Sequence, residues 1–117
     1  MVMRDRPLYA FGAIKGHDGG IPVMYTKLNI ISHQGFKDSG MTYHGKGIAI
    51  HLPIDVPYTL AHELGHWAGW TGGDRANGEH TSNENNVMFS ADEPGEVYDY
   101  AVNADKQYLQ KVLSLAH

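Results

Sequence analysis

The sequence predicts a small α+β domain in which short strands come first and two helices follow. Three observations support this class. Apolar, β-prone segments separated by glycines occupy the first half of the chain, an amphipathic segment lies near the middle, and another lies at the C-terminal end. The chain has 117 residues, a length typical of one domain, so we predict that residues 1–117 form a single unit.

The first half of the chain is predicted to form short strands. Leu8–Ile14 and Val23–Ile31 are apolar and β-prone, with a turn between them at His17–Gly20. His33–Lys46 is polar and punctuated by glycines, which predicts a loop. Gly47–Leu52 alternates in the way that predicts a third strand.

The second half is predicted to hold two helices joined by a long loop. The first helix spans Val56–Trp70, with Asp55 as its cap and Gly69 among the glycines that end it. Residues 71–96 show little regular pattern, and so long a loop in a small domain is typically functional or disordered. The second helix spans Asn103–Leu115, with Asn103 as its cap.

Composition and charge exclude several classes of protein. Hydrophobic residues make up 42% and charged residues 19% of the chain, which is unlike a disordered chain or a coiled coil. The net charge is −4, so we expect no nucleic-acid partner and no acidic membrane surface as partner. No apolar run reaches the roughly 18 residues of a membrane span.

The chain has no cysteine and eight histidines. Disulfides, thiolate metal sites and cysteine nucleophiles are therefore excluded, and a transition metal would need His, Asp or Glu ligands. The N-terminal residues show no signal peptide, because Arg4, Asp5, Arg6 and Pro7 interrupt them and no apolar segment follows. These features favour a cytoplasmic location while leaving it open, and we expect a monomer.

The strongest chemical signal is the run His62-Glu63-Leu64-Gly65-His66 inside the first predicted helix. Positions i and i+4 lie on one face of a helix, so His62 and His66 can bind one metal ion. Glu63 is rotated about 100° from His62 and lies beside that ion. A carboxylate there can take a proton from water, which is the chemistry of the HExxH motif of zinc peptidases.

At these residues the sequence resembles the zincin metallopeptidases, and more narrowly the metzincins. His62, Glu63, His66 and Gly69 match the metzincin pattern HExxHxxG, in which the glycine ends the helix, and Met88 matches the methionine turn beneath the metal. The resemblance implies a zincin-like fold, in which a short mixed sheet packs on an active-site helix, followed by the Met-turn loop and a C-terminal helix. It also implies one catalytic Zn²⁺.

The third metal ligand is open, because Gly72 stands where the metzincin pattern has it. His80 is one candidate, since the stretch from His80 to Met88 resembles the matrixin segment between the third histidine and the turn methionine. The chain then resembles a minimal matrixin-type catalytic domain with an insertion within Thr71–Glu79. The alternatives are Asp74, since some related families use aspartate, and Glu84, whose distance from His66 is similar to that in gluzincins.

The function implied by the resemblance is zinc-dependent hydrolysis of peptide bonds by an endopeptidase, with Glu63 as general base. An extended peptide or protein substrate would pair with the strand beside the cleft. We predict that this edge strand comprises Gly47, Ile48, Ala49, Ile50 and His51.

Two alternatives have different chemistry. Thr59–Trp67 also resembles the zincin-like domain found with antirestriction proteins, which suggests a protein-binding module without turnover. The other alternative is a zinc hydrolase of a non-peptide amide. Among the remaining histidines, His51 would face substrate or solvent, and His44 would be solvated in a loop.

Overall fold

The computed structural model describes residues 20–31, 37–52, 58–90 and 103–116. In these residues it shows a three-stranded mixed sheet, a two-stranded sheet and two α-helices, which confirms the α+β class. The predicted strand Leu8–Ile14 lies outside the described residues. The strands are β1 (Val23–Thr26), β2 (Ile30–Ile31), β3 (Lys37–Asp38), β4 (Gly40–Tyr43) and β5 (Gly47–His51), and the helices are α1 (Thr59–Trp67) and α2 (Lys106–Leu113).

Strand β5 is the central strand of the larger sheet. The order is β1-β5-β4, with β1 parallel and β4 antiparallel to β5. Every residue of β5 is buried. The prediction that Gly47, Ile48, Ala49, Ile50 and His51 form the substrate-binding edge strand is therefore wrong, because both sides of β5 already bond to neighbouring strands. In the described part of the chain, β4 is the edge strand on the α1 side.

The segment predicted as a loop, His33–Lys46, contains β3 and β4. All four residues of β4 are partly buried, so neither face of the strand is fully buried or fully exposed. Such a strand lacks the alternation of apolar and polar residues from which a strand can be predicted. The single strand predicted over Val23–Ile31 is instead two short strands. The chain bends between them, where the Leu28 N–H bonds the Thr26 hydroxyl oxygen.

The described ranges contain two clusters of buried apolar side chains. Ile30 and Ala49 pack with partly buried methionines on one face of the larger sheet. The other cluster lies between the C-terminal end of α1, the loop that follows it and α2, and consists of Trp70, Val87, Met88 and Tyr108. The second cluster therefore joins the helix that carries the HExxH motif to the loop that follows it.

Both helices begin later than the sequence predicts. The N-cap of α1 is Tyr58, with a φ of 65° and no side-chain cap bond, and Asp55 lies outside the described residues. The N-cap of α2 is Asp105, whose carboxylate accepts the Tyr108 N–H, so the assignment of Asn103 as cap is wrong. Neither α-helix, nor any other helix in the described ranges, is long and apolar enough to cross a membrane.

Candidate metal centre

The side chains of two histidines on helix α1 converge. His62 and His66 are four residues apart on this helix, and their Nε2 atoms lie 3.2 Å from each other. The imidazole rings meet edge to face, with centroids 4.9 Å apart. This is the geometry expected for side chains at i and i+4, which stack along one face of a helix.

The C-terminus of α1 turns the chain back toward these histidines. Gly69 has a φ of 83°, a left-handed conformation that glycine adopts without steric cost. The Trp70 N–H bonds the Gly65 carbonyl at 2.9 Å and the Gly69 N–H bonds the His66 carbonyl at 3.1 Å. These two bonds form a Schellman motif, which confirms Gly69 as the residue that ends the helix.

The loop after α1 holds His80 through backbone hydrogen bonds. Arg75 and His80 form an isolated antiparallel bridge, with N···O distances of 3.0 and 3.2 Å. Between them, the 3₁₀ turn Ala76–Gly78 contains two non-glycine residues with positive φ, Ala76 at 50° and Asn77 at 60°. This tight turn fixes the direction in which His80 leaves the backbone.

The three histidines form a group that can hold a metal ion. His80 Nε2 lies 3.0 Å from His66 Nε2, and one nitrogen from each of His62, His66 and His80 lies within 4.8 Å of the others. Nitrogens bound to one tetrahedral zinc ion at roughly 2.0–2.1 Å lie about 3.3 Å apart. The observed spacing therefore fits a shared ion.

The protonation of the ring nitrogens also suits a metal. His62 Nδ1 lies 2.7 Å from the Val87 carbonyl, so Nδ1 carries the proton and Nε2 keeps its lone pair for a ligand bond. Burial, and then the charge of His66, hold the pKa of His62 well below its ordinary value. Burial, followed by His80 and His44, lowers the pKa of His66 to about 3. Neutral imidazole is the form that binds metal.

The alternative third ligands do not join this group. The Asp74 carboxylate accepts hydrogen bonds from the Ser82 N–H and hydroxyl, at 2.8 and 2.6 Å. Glu84 lies exposed in a turn of the loop. Of the three residues that the sequence left open, the structure brings only His80 to the two helical histidines.

Met88 is fully buried beneath α1. A Cβ atom added to Gly65 would lie 2.2 Å from Met88 Sδ, so the absence of a side chain at Gly65 lets the methionine approach the helix. The Thr81 N–H donates to the Met88 carbonyl at 3.0 Å, which ties this segment to the residue that follows His80. Met88 thus lies under the helix segment between His62 and His66, and its role as a methionine turn stays a prediction.

Glu63 is buried at the same cleft. The residue is 5% exposed, and Thr42 Oγ1 lies 2.8 Å from its Oε1 and 2.9 Å from its backbone carbonyl oxygen. Burial raises the pKa of Glu63 to about 7, with a smaller contribution from Asp38, while the Thr42 hydrogen bond acts in the opposite direction. In the metal-free protein a carboxyl group with this pKa is partly protonated at neutral pH.

The cleft lies between α1, β4 and the His80 loop. It includes residues that the sequence analysis did not assign to a site, because their position depends on how β4 pairs. His44 lies exposed in the turn between β4 and β5, as predicted, and also lines the cleft. The prediction that His51 faces substrate or solvent is wrong, because His51 is buried in the sheet with Nδ1 2.8 Å from the Leu28 carbonyl oxygen. The cleft is lined by Asp38, Ser39, Gly40, Met41, Thr42, His44, His62, Glu63, His66, Glu79, His80 and Ser90.

Comparisons with protein-family models, curated proteins and solved structures found no match to this chain. The resemblance to metzincins therefore stays a prediction from the sequence. The geometry itself gives a group of three histidines that can hold a metal ion, beside a buried carboxylate in an open cleft.

Proposed function

We propose that this protein is a zinc-dependent peptidase that hydrolyses peptide bonds with Glu63 as general base. One observation carries the proposal. The buried Glu63 carboxyl group lines the same cleft as the three converging histidines. A site that only bound metal for stability would have no use for a buried, hydrogen-bonded carboxyl group beside the ligands, because such burial opposes ionisation.

The ligand set favours zinc. Three imidazoles and no sulfur ligand are typical of catalytic zinc sites, which leave a fourth position open for water or substrate. When bound, zinc supplies a Lewis acid that activates water and polarises the scissile carbonyl. The cleft beside His62, His66 and His80 gives a substrate access to that side of the group.

Glu63 would accept and then return the proton that is transferred in the reaction. As a carboxylate it accepts a proton from the attacking water, and as a neutral acid it returns that proton to the leaving amine. Its pKa of about 7 in the metal-free protein shows that burial disfavours the charged form. A cation held at the histidines would favour the charged form, since opposite charges attract most strongly where little water intervenes.

Edge strand β4 is the element that supports a peptide substrate. Gly40, Met41 and Thr42 line the cleft, and β4 uses one side to pair with β5. An extended peptide could add to the other side as a further strand, which provides main-chain hydrogen bonds without requiring a particular sequence.

The test compares the zinc-loaded protein with its Glu63→Gln variant on an unbiased peptide library read by mass spectrometry. We expect cleavage by the wild type and none by the variant, with one zinc per chain retained by both. Full activity in Glu63→Gln would contradict the role assigned to this residue.

Two other results would replace the proposal. Zinc binding with stable capture of an intact protein and no turnover would indicate a binding module of the antirestriction type. Cleavage confined to non-peptide amides would keep the zinc hydrolase and change its substrate class.

A further inference from the structure

One hydroxyl group of the edge strand makes two contacts with Glu63. Thr42 Oγ1 lies 2.8 Å from Glu63 Oε1 and 2.9 Å from the Glu63 backbone carbonyl oxygen. Thr42 belongs to β4 and Glu63 to α1, and the two are 21 positions apart in the sequence. The two contacts therefore link strand β4 to helix α1 at the proposed base. Because one hydroxyl contacts both the carbonyl oxygen and the carboxyl group of Glu63, it also restrains the side chain relative to its own backbone.

The donor and acceptor capacity of a hydroxyl suits both forms of this base. A hydroxyl has one proton to donate and two lone pairs that accept. When Glu63 is ionised, Thr42 donates to Oε1. When Glu63 has taken a proton from water on its other oxygen, Oε2, Thr42 can still donate to Oε1 or to the backbone carbonyl oxygen of Glu63. The same atoms thus stay bonded before and after a proton transfer.

The absence of a side chain at Gly40 allows β4 to pack this closely against Glu63. Gly40 and Thr42 are two residues apart on β4, so they face the same side of the strand. A Cβ atom at Gly40 would lie 3.1 Å from Glu63 Cγ and 3.0 Å from Thr59 Cγ2. The strand backbone is therefore packed directly against the Glu63 side chain, and the carboxyl group is held between this backbone and the Thr42 hydroxyl.

We propose that Thr42 is a positioning residue, whose hydroxyl fixes the direction of the Glu63 carboxyl group in the metal cleft. Its kinetic consequence rests on the proposed peptidase function. Groups that orient a catalytic site from outside it typically change activity by roughly 10- to 100-fold when they are removed. Thr42 would act on the chemical step and leave substrate binding almost unchanged.

The test uses three variants. Thr42→Val keeps the shape and removes the hydroxyl, Thr42→Ser keeps the hydroxyl, and Thr26→Val is the matched control on β1, where the hydroxyl oxygen accepts the Leu28 N–H. For Thr42→Val we expect kcat to fall roughly 10- to 100-fold with KM and zinc affinity unchanged. Thr42→Ser should recover most of the activity, and Thr26→Val should retain it.

Zinc affinity separates positioning from a general structural role. If loss of the hydroxyl merely displaced α1, the zinc ligands His62 and His66 would move with it, and zinc binding would weaken together with kcat. That result would overturn the proposal, as would a Thr42→Val variant with the kcat of the control. Thr42→Ala takes the place of the valine variant if the latter does not fold.

A crystal structure of zinc-loaded Thr42→Val tests the inference without any turnover. We expect the Glu63 carboxyl group to rotate or lose a single position, and to be restored in Thr42→Ser. An unmoved carboxyl group would overturn the positioning role, whatever the activity. Absence of turnover in the wild type would instead count against the peptidase function, so the two failures are distinguishable.

Discussion

His62 and His66 are fixed by one turn of α1, whereas His80 is fixed by an irregular loop. The two helical histidines need only the spacing i, i+4 and a formed helix to bring their Nε2 atoms within 3.2 Å. His80 reaches the same point, 3.0 Å from His66 Nε2, through the bridge to Arg75 and a turn with positive φ angles. The helix half of the metal centre is local in sequence, and the loop half depends on many backbone bonds.

This difference indicates which part of the candidate metal centre is the more sensitive to substitution. A helix tolerates most substitutions on its outer face, because its hydrogen bonds do not depend on side chains. A loop that closes on itself depends on particular glycines and on particular dihedral angles. We therefore expect substitutions that leave both the ligands and α1 intact to weaken the site mainly through the loop.

The largest effect should follow from removing the loop ligand itself. His80→Ala should weaken zinc binding by more than roughly 100-fold, since loss of a direct ligand exceeds the effect of losing an outer-shell partner. Glu84→Gln, in the same loop, should bind zinc normally, because Glu84 is exposed and outside the group. Competition with a chromophoric chelator measures both affinities. The reverse pair of results would move the third ligand to Glu84.

The next largest effect is expected from replacing a glycine of the loop, compared with replacing a glycine at the end of the helix. A Cβ at Gly73 would lie 1.9 Å from the His80 carbonyl oxygen, whereas a Cβ at Gly69 meets nothing within 4 Å. Gly73→Ala should therefore lower the free energy of unfolding by about 3 kcal/mol and weaken zinc binding as well. Gly69→Ala should cost about 1–2 kcal/mol, from its left-handed φ alone.

Chemical denaturation and zinc titration of these two glycine variants test the expectation. Equal effects on zinc binding would show that the loop is no more sensitive than the helix end.

The helix and the loop also differ in the burial of their acidic residues. Glu63 on α1 is buried, whereas Glu79 in the loop is exposed. Glu63 has a pKa of about 7 in the fold and an ordinary value of 4.5. Between these values the folded protein keeps a proton that the unfolded chain has released, so the stability of the metal-free protein falls as pH rises through this window. Glu63→Gln lacks this effect.

The stability difference between the metal-free variant and the wild type should therefore grow from near zero at about pH 4 to at most about 3 kcal/mol at about pH 8. Denaturation in the presence of a chelator, repeated across this range, measures the difference. His62 and His66 are present in both proteins, so their own titration cancels. A pH-independent difference would contradict the raised pKa of Glu63.

The smallest effect should come from the turn that precedes His80. Ala76 has a φ of 50°, a conformation that asparagine adopts more readily than alanine. Ala76→Asn should raise the free energy of unfolding by about 0.5–1 kcal/mol and leave zinc affinity unchanged. Thermal unfolding of the zinc-free protein measures this gain. A destabilised variant would show that the turn does not depend on its positive φ values.

The helix half of the site was predictable from the sequence because its geometry is set by neighbouring residues. The spacing of His62, Glu63 and His66 and the position of Gly69 are enough to place them. His80 could be chosen only by its distance from Met88, and spacing alone left Asp74 and Glu84 open. The bonds between Asp74 and Ser82, which keep that carboxylate elsewhere, depend on the folded loop.

The sheet shows the same limit. The alternation in Gly47–Leu52 correctly predicts strand β5. Its central position depends on pairing with β1 and β4, which the sequence alone does not reveal. Strand β4 was predicted as a loop, since its four residues are partly buried and display no alternation. The contact between Thr42 and Glu63 could not be predicted for this reason, because it requires β4 to lie beside α1.

Asp105 has a consequence for how the molecule opens. Its carboxylate caps α2 through the Tyr108 N–H and also accepts the Trp70 indole N–H and the Asn86 side-chain amide. One carboxylate thus fastens the C-terminal helix to both ends of the loop that carries His80. We expect the amide hydrogens of α2 and of this loop to exchange as one cooperative unit. Undocking of the helix and release of the metal would then be a single event.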